Sequence, residues 1–327
     1  MTPVVDIRDL VVSYKTTDGT TLAIDGVSLA IERGESVGIV GESGSGKSTL
    51  GMAIGRLLAP NATIEGGEIL FDGRSVGLCD AAALRVLRRD RLGFVFQNPM
   101  SALDPTLRVG RQVALAIGGE PAPSAIHALL ERVGLDDAVS VARSFAHELS
   151  GGMAQRVAIG LAIARNPAVL IADEPTASLD ASIQGLILDL LLSLGRDTGA
   201  SLVILSHDLR MVARRCRKVV VMYGGRVVEA GDSREVFSAP AHPYTRALIR
   251  AAAGNEGPGG RLDPIAGVPP MLRERATHCA FAPRCSDAQA RCFAERPAEV
   301  AGGGRVVACH FAAVAAAASR PATGGQA

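Results

Sequence analysis

Residues 36–58 read SVGIVGESGSGKSTLGMAIGRLL, and this stretch decides the fold. Ser36–Val40 is a short apolar run of strand type, and Lys47–Leu58 has helical composition, so Gly41–Thr49 (GESGSGKST) joins a strand to a helix. Gly41, Gly44 and Gly46 have no Cβ, which lets the backbone bend tightly and turn several N–H groups onto one anion. A helix starting near Lys47 points its positive end at the same place. Lys47 adds a mobile charge for the β- and γ-phosphates, and the Ser48 hydroxyl is a Mg²⁺ ligand type. Glycine-rich turns also join ordinary strands and helices; the complete pattern in this setting points to a bound nucleoside triphosphate.

Working outward, 327 residues suffice for one large domain and a small appendage. Hydrophobic residues make up 48% and aromatics 3%, with no Trp, so the core must be built from Ala, Val, Leu and Ile. The net charge of +1, from 34 basic and 33 acidic residues, gives no electrostatic reason to expect nucleic acid as a partner. No apolar run is long enough to span a bilayer, and the N-terminus starts a strand-like pattern with no apolar leader. A soluble protein is expected, acting at the cytoplasmic face of a membrane only through partners.

Val4–Tyr14 and Leu22–Ile31 read as a hairpin turning at Asp18-Gly19, and Val219–Tyr223 with Arg226–Glu229 as a second turning at Gly224-Gly225. Leu92–Phe96, Ala168–Ala172 and Ser201–Leu205 are runs of the kind buried in a parallel sheet. Helical periodicity dominates residues 98–165, for example Ser124–Val133. The expected fold is therefore α/β: a P-loop NTPase core with an antiparallel β subdomain and a helical subdomain at 98–165, together spanning 1–253. A cysteine-rich extension follows at 254–311, entered through the linker-like GNEGPGG of 254–260, and 312–327 reads as a disordered tail.

Two further segments carry chemistry. In Ala168–Glu174 (AVLIADE) an apolar strand ends in Asp173, placed for Mg²⁺, and Glu174, placed as general base for an attacking water. Leu149–Met153 (LSGGM) offers the Ser150 hydroxyl and the close backbone of Gly151 and Gly152 to a phosphate at a helix start. One nucleotide does not need two such loops from one chain. On these motifs, over residues 4 to about 250, the chain resembles the ATP-binding cassette (ABC) family, in which the second loop contacts nucleotide held by a facing subunit.

The resemblance implies further roles. Tyr14 matches the position that stacks on adenine, and Gly41, Glu42, Ser43, Gly44, Ser45, Gly46, Lys47, Ser48 and Thr49 the loop that holds ATP. Gln97 matches the glutamine that reaches Mg²⁺ with Ser48 and Asp173, and His207 the histidine on the γ-phosphate beside the base Glu174. Leu149, Ser150, Gly151, Gly152 and Met153 would act in trans, and Ser178, Leu179 and Asp180 would cross the dimer interface. Gln97–Pro105 (QNPMSALDP), His147–Met153 (HELSGGM) and His242–Leu248 (HPYTRAL) resemble the oligopeptide/dipeptide importer subfamily, with LSGGM similar to its first, D-type ATPase. That implies an ATPase driving peptide uptake with two permeases, a second and non-identical ATPase and an extracytoplasmic solute-binding protein, but no nucleic acid. Nickel or another small solute is the alternative cargo. Rival classes are a soluble ABC ATPase of nucleic acid or ribosomes, or a small-molecule kinase; neither explains one cassette with LSGGM and Glu174. Ala154, where Arg or Lys is usual, reads as solvent-facing.

Cys279, Cys285, Cys292 and Cys309 fall in one core-poor segment, spaced C-x5-C-x6-C-x16-C. A cytoplasmic setting argues against disulfides, and the close cysteine pairs of zinc sites are missing. The subfamily resemblance implies a 4Fe–4S cluster on these four thiolates, ranked ahead of zinc and of reduced thiols. Cys79 and Cys216 read as ordinary small residues.

Overall fold

The computed structural model describes residues 2–177, 179–252, 256–257, 261–262 and 265–312. β1 (Val5–Thr16) and β2 (Gly19–Ile31) form the first hairpin, in register from Val5–Ile31 to Thr16–Gly19. β3 (Ser36–Val40) leads through the glycine loop into α1 (Lys47–Ile54). That helix stops at Ile54 rather than Leu58, because Gly55 is a poor helix former and Arg56 turns to a φ of 49°. β4 (Ala62–Phe71) pairs antiparallel with β1, and β5 (Arg74–Ser75) completes a sheet of order β2-β1-β4-β5.

α2 (Ala81–Val86) is capped by Asp80, whose carboxylate accepts the Ala83 N–H at 2.7 Å, and a π-helical turn then feeds β6 (Leu92–Val95). The helical block follows as α3 (Val109–Ile117), α4 (Pro123–Arg132), α5 (Ala138–Arg143) and α6 (Gly151–Ile163). The chain then alternates through β7 (Val169–Asp173), α7 (Ala181–Thr198), β8 (Ser201–Ser206), α8 (Leu209–Arg215) and β9 (Lys218–Tyr223). Gly224 and Gly225, at φ 53° and 74°, make the tight turn to β10 (Arg226–Asp232). α9 (Ser233–Ser238) and α10 (Pro243–Ala252) precede β11 (Glu256–Gly257), which pairs with β12 (Arg261–Leu262). The remainder of the expected linker, and residues 313–327 of the expected tail, lie outside the described residues.

β9-β3-β8-β7-β6 run parallel at the centre of the large sheet. Successive side chains face opposite ways. Val37, Ile39, Val203 and Leu205 pack with Leu50 and Ile54 of α1 and the antiparallel sheet, whereas Leu202, Ile204 and Leu170 pack on the helices. Both faces are covered, which is why these strands are apolar throughout. The carboxyl ends of β3, β7 and β8 then meet where β3 gives way to the loop, the usual ligand position in such sheets.

α6 packs against β6 and also against α3, α4 and α7. Its Ala154, expected to face solvent, is fully buried as a consequence.

The extension has regular elements of its own: α11 (Ala290–Ala294) precedes β13 (Val300–Gly302) and β14 (Arg305–Val307), and β14 continues the large sheet by pairing with β10. Three of its arginines seat on carboxylates of the cassette: Arg275 on Asp25, Arg284 on Glu42 and Arg305 on Glu229. Burial opposes the charge on fully buried Asp25, but the hydrogen bond and charge of Arg226 outweigh it and lower the pKa.

Candidate nucleotide site

Gly46 caps α1 at φ 101°, and a Cβ there would sit 2.5 Å from the Ala23 carbonyl oxygen, so only glycine fits. A Cβ at Gly41 would meet the Met222 carbonyl oxygen at 2.3 Å. The loop thus lies against backbone on two sides, and its shape is set by that close approach. Lys47 is buried, and its ammonium donates to the carbonyls of Gly41 (2.8 Å) and Glu42 (3.1 Å). Burial lowers its pKa against the opposing pull of Glu174, Asp173 and Glu42.

At the end of β7, Asp173 accepts a 2.9 Å hydrogen bond from the Ser48 hydroxyl. Burial raises the Asp173 pKa and the neighbouring Glu174 charge adds to it, while Ser48 and Lys47 oppose. An additional cation at this point would relieve that tension. Glu174 takes a left-handed φ of 46°, uncommon for a residue with a side chain. The turn carries its carboxylate to 2.6 Å from Nδ1 of His207, which follows β8.

Ser43–Thr49, Gln97, Glu174 and His207 line one cavity of about 640 Å³. Its wall is completed by Thr21–Ala23 of β2 and, unforeseen from the sequence, by Pro269–Leu272 of the extension. Gly41 and Glu42 form the root of the loop, and Asp173 stands behind Ser48. Tyr14 is not in the wall; it packs against the core beside α1 and its hydroxyl lies 3.2 Å from Oγ1 of Thr49.

The LSGGM segment lies elsewhere. Ser150 is exposed and caps α6 by accepting the Met153 N–H at 3.3 Å, and none of Leu149–Met153 lines the cavity. Leu179 and Asp180 are also away from it, and Ser178 lies outside the described residues. The four extension cysteines line a separate cavity of about 90 Å³. Among the described residues no three His, Cys, Asp or Glu are grouped so as to hold a metal ion. Cys216 is buried at the end of α8, and burial pushes its thiol up to about 12.

Residues 24–177 match the ABC transporter family, and residues 228–292 match the oligopeptide/dipeptide transporter C-terminal region. The chain is 39% identical over 310 residues to the oligopeptide transport ATP-binding protein OppD of Escherichia coli, covering 93% of this chain and 92% of that protein. It belongs to the ABC transporter family. The dipeptide transport ATP-binding protein DppD of the same organism is 42% identical over 296 residues, covering 88% of this chain and 90% of its own. A dimeric ATP-binding cassette solved in a post-hydrolysis state with ADP and Pi is 31% identical, with a TM-score of 0.63 over 70% of this chain and 99% of that one.

The activity of an ABC cassette is ATP hydrolysis, and this one carries on a single cavity the groups it requires. In its wall are a glycine-rich loop, a buried cation and a carboxylate–imidazole pair, and Ser48 of that wall donates to the Asp173 carboxylate behind it. No helix among the described residues is long and apolar enough to cross a membrane.

Proposed function

We propose that this ABC ATPase powers the import of di- and oligopeptides, working peripherally at the cytoplasmic face of the membrane. The observation that carries the cargo class is the joining of the cassette to the oligopeptide/dipeptide transporter C-terminal region at residues 228–292. Two such chains, this one and a related, non-identical ATPase, close head to tail on ATP. The loop of Gly41–Thr49 binds the triphosphate, with Lys47 on its outer phosphates and Tyr14 beside the base. Ser48, Gln97 and Asp173 would hold Mg²⁺, which neutralises phosphate charge. Glu174 accepts a proton from the attacking water, and His207 orients Glu174 and touches the γ-phosphate. Ser150–Gly152 completes the partner's site, with Ser178–Asp180 at the seam, which suits a cap that is exposed and outside its own cavity. Two permeases, contacted near Gln97, take up the motion, and an extracytoplasmic binding protein delivers cargo. ATP drives closure because it binds the closed pair better than the open one.

The cysteine segment is proposed to hold a 4Fe–4S cluster. Four thiols on one cavity suit a four-thiolate group, although their side chains are not gathered on one metal position.

The test is one preparation. The ATPase is purified anaerobically with its permeases and reconstituted in vesicles. Hydrolysis should rise with peptide-loaded binding protein, and iron and sulfide should both be present. Stimulation by a nickel complex but not by peptides would overturn the cargo assignment; zinc or no metal would overturn the cluster.

A further inference from the structure

We infer that Arg284, in the cysteine-rich extension, is a positioning residue of the phosphate loop, holding it in its nucleotide-ready shape through Glu42. The inference rests on the functional reading only for the identity of the ligand, ATP.

All five N–H donors of the Arg284 guanidinium are placed. Nη1 reaches Oε2 of Glu42 at 2.7 Å and the Tyr223 hydroxyl at 3.2 Å. Nη2 reaches Oε1 of Glu42 at 3.0 Å and the Ile265 carbonyl at 3.0 Å, and Nε reaches the Ala266 carbonyl at 2.7 Å. The side chain is 4% exposed. A two-point guanidinium–carboxylate contact fixes direction as well as distance.

Every polar group of Glu42 is likewise engaged. Its N–H donates to the Tyr244 hydroxyl at 2.9 Å, and its carbonyl accepts from Lys47 and from the Ser45 N–H. The loop's first side-chain-bearing residue is thus held by α10 on its backbone and by the extension on its carboxylate. The same guanidinium holds Ile265 and Ala266, at the head of the strap whose Pro269–Leu272 walls the cavity. One side chain therefore ties the phosphate loop to the far wall of the site.

A loop whose N–H dipoles and Lys47 converge on one point repels itself when no anion is there. Holding it shut in advance raises the fraction of chains ready to bind, so the apparent Kd falls by that fraction. Once the triphosphate is seated it holds the loop itself. Arg284 should therefore act on affinity and leave turnover at saturation untouched.

The experiment is MgATP binding to the full-length chain by calorimetry, with turnover in the assembled complex, for wild type, Arg284→Gln, Glu42→Gln, the double variant and Arg284→Lys. Glu42→Gln should weaken binding about tenfold and Arg284→Gln at least as much, since it also frees the strap. The double variant should be no weaker than Arg284→Gln, Arg284→Lys should fall between wild type and Arg284→Gln, and saturated turnover of the two Arg284 single variants should stay within about twofold. Additive losses, unchanged affinity, or a fall in turnover at constant affinity would each overturn the inference. Should Arg284→Gln fail to fold, Glu42→Gln removes the same contact with the extension intact. Wild-type protein that does not bind MgATP would instead refute the functional reading.

Discussion

Glu174 sits where backbone and side chain both work against ordinary preference, at a φ of 46° and beside Asp173, whose charge its own disfavours. Such a position persists only where the surroundings over-determine it. Glu174→Gln keeps the volume and a hydrogen bond to His207 but cannot accept a proton. Turnover should fall about 10²- to 10⁴-fold, the range of general-base loss. ATP affinity should hold, since removing one negative charge beside Asp173 eases the approach of phosphate. Single-turnover hydrolysis with labelled ATP checks this, and wild-type turnover in the variant would remove Glu174 from its role. The residues legible in the sequence were those whose chemistry is local. Gly46, Lys47 and Ser48 serve one loop, Asp173 ends one strand and Glu174 follows it directly. Tyr244 and Arg284 meet Glu42 across sequence separations of 202 and 242 residues, and no local pattern encodes that.

Elements were legible where environment was uniform along them. β3, β7 and β8 are covered on both faces and read as apolar runs, and the helical block showed its period. β4 escaped because exposed Glu65 and a Gly66-Gly67 pair interrupt it, and β14 because its three residues borrow their order from β10. Ala154 was misplaced because α6 is packed on several sides and leaves no polar face to read. The junction between β10 and α10 carries a pH consequence. Fully buried Glu229 accepts the N–H groups of Ala241 and His242 at 2.9 Å each and is paired with Arg305. His242 is buried beside it, its Nδ1 accepting the Tyr244 N–H at 3.0 Å. Burial lowers the His242 pKa to about 4, with Glu229 opposing and Arg246 assisting. Between pH 6.5 and 4 the unfolded chain therefore binds a proton that the folded chain refuses. Stability from this group is intact above 6.5 and is lost as pH falls toward 4, by about 3 kcal/mol at most. His242→Asn keeps an acceptor for the Tyr244 N–H but does not titrate. Urea midpoints measured from pH 7 to 4.5 should decline less steeply in the variant; parallel slopes would show that His242 does not carry the acid sensitivity.

At the scale of the molecule, the phosphate loop and the LSGGM cap belong to one chain but not to one cavity. The loop needs three strand ends brought together, and β3, β7 and β8 supply them from within the chain. Ser150 is exposed at the start of α6 and caps it by accepting the Met153 N–H, a helix start suited to an anion but with none of this chain's own nucleotide cavity beside it. The two features can serve one ATP only if a second cassette brings its cap to this loop. A substitution at each should therefore separate cleanly. Lys47→Ala should abolish ATP binding in the isolated chain, because it removes the cation from the loop itself. Ser150→Arg should leave the isolated chain's Kd for MgATP within about twofold, since nothing at Ser150 lines that cavity. In the assembled transporter the same change should cut hydrolysis by about 100-fold or more at the site whose nucleotide the cap contacts, the scale of losing preorganised donors. Photolabelling would then still mark this chain's loop while phosphate release at the partner's site stops. A raised Kd in the isolated Ser150→Arg chain would place the cap in its own site and break the head-to-tail pairing.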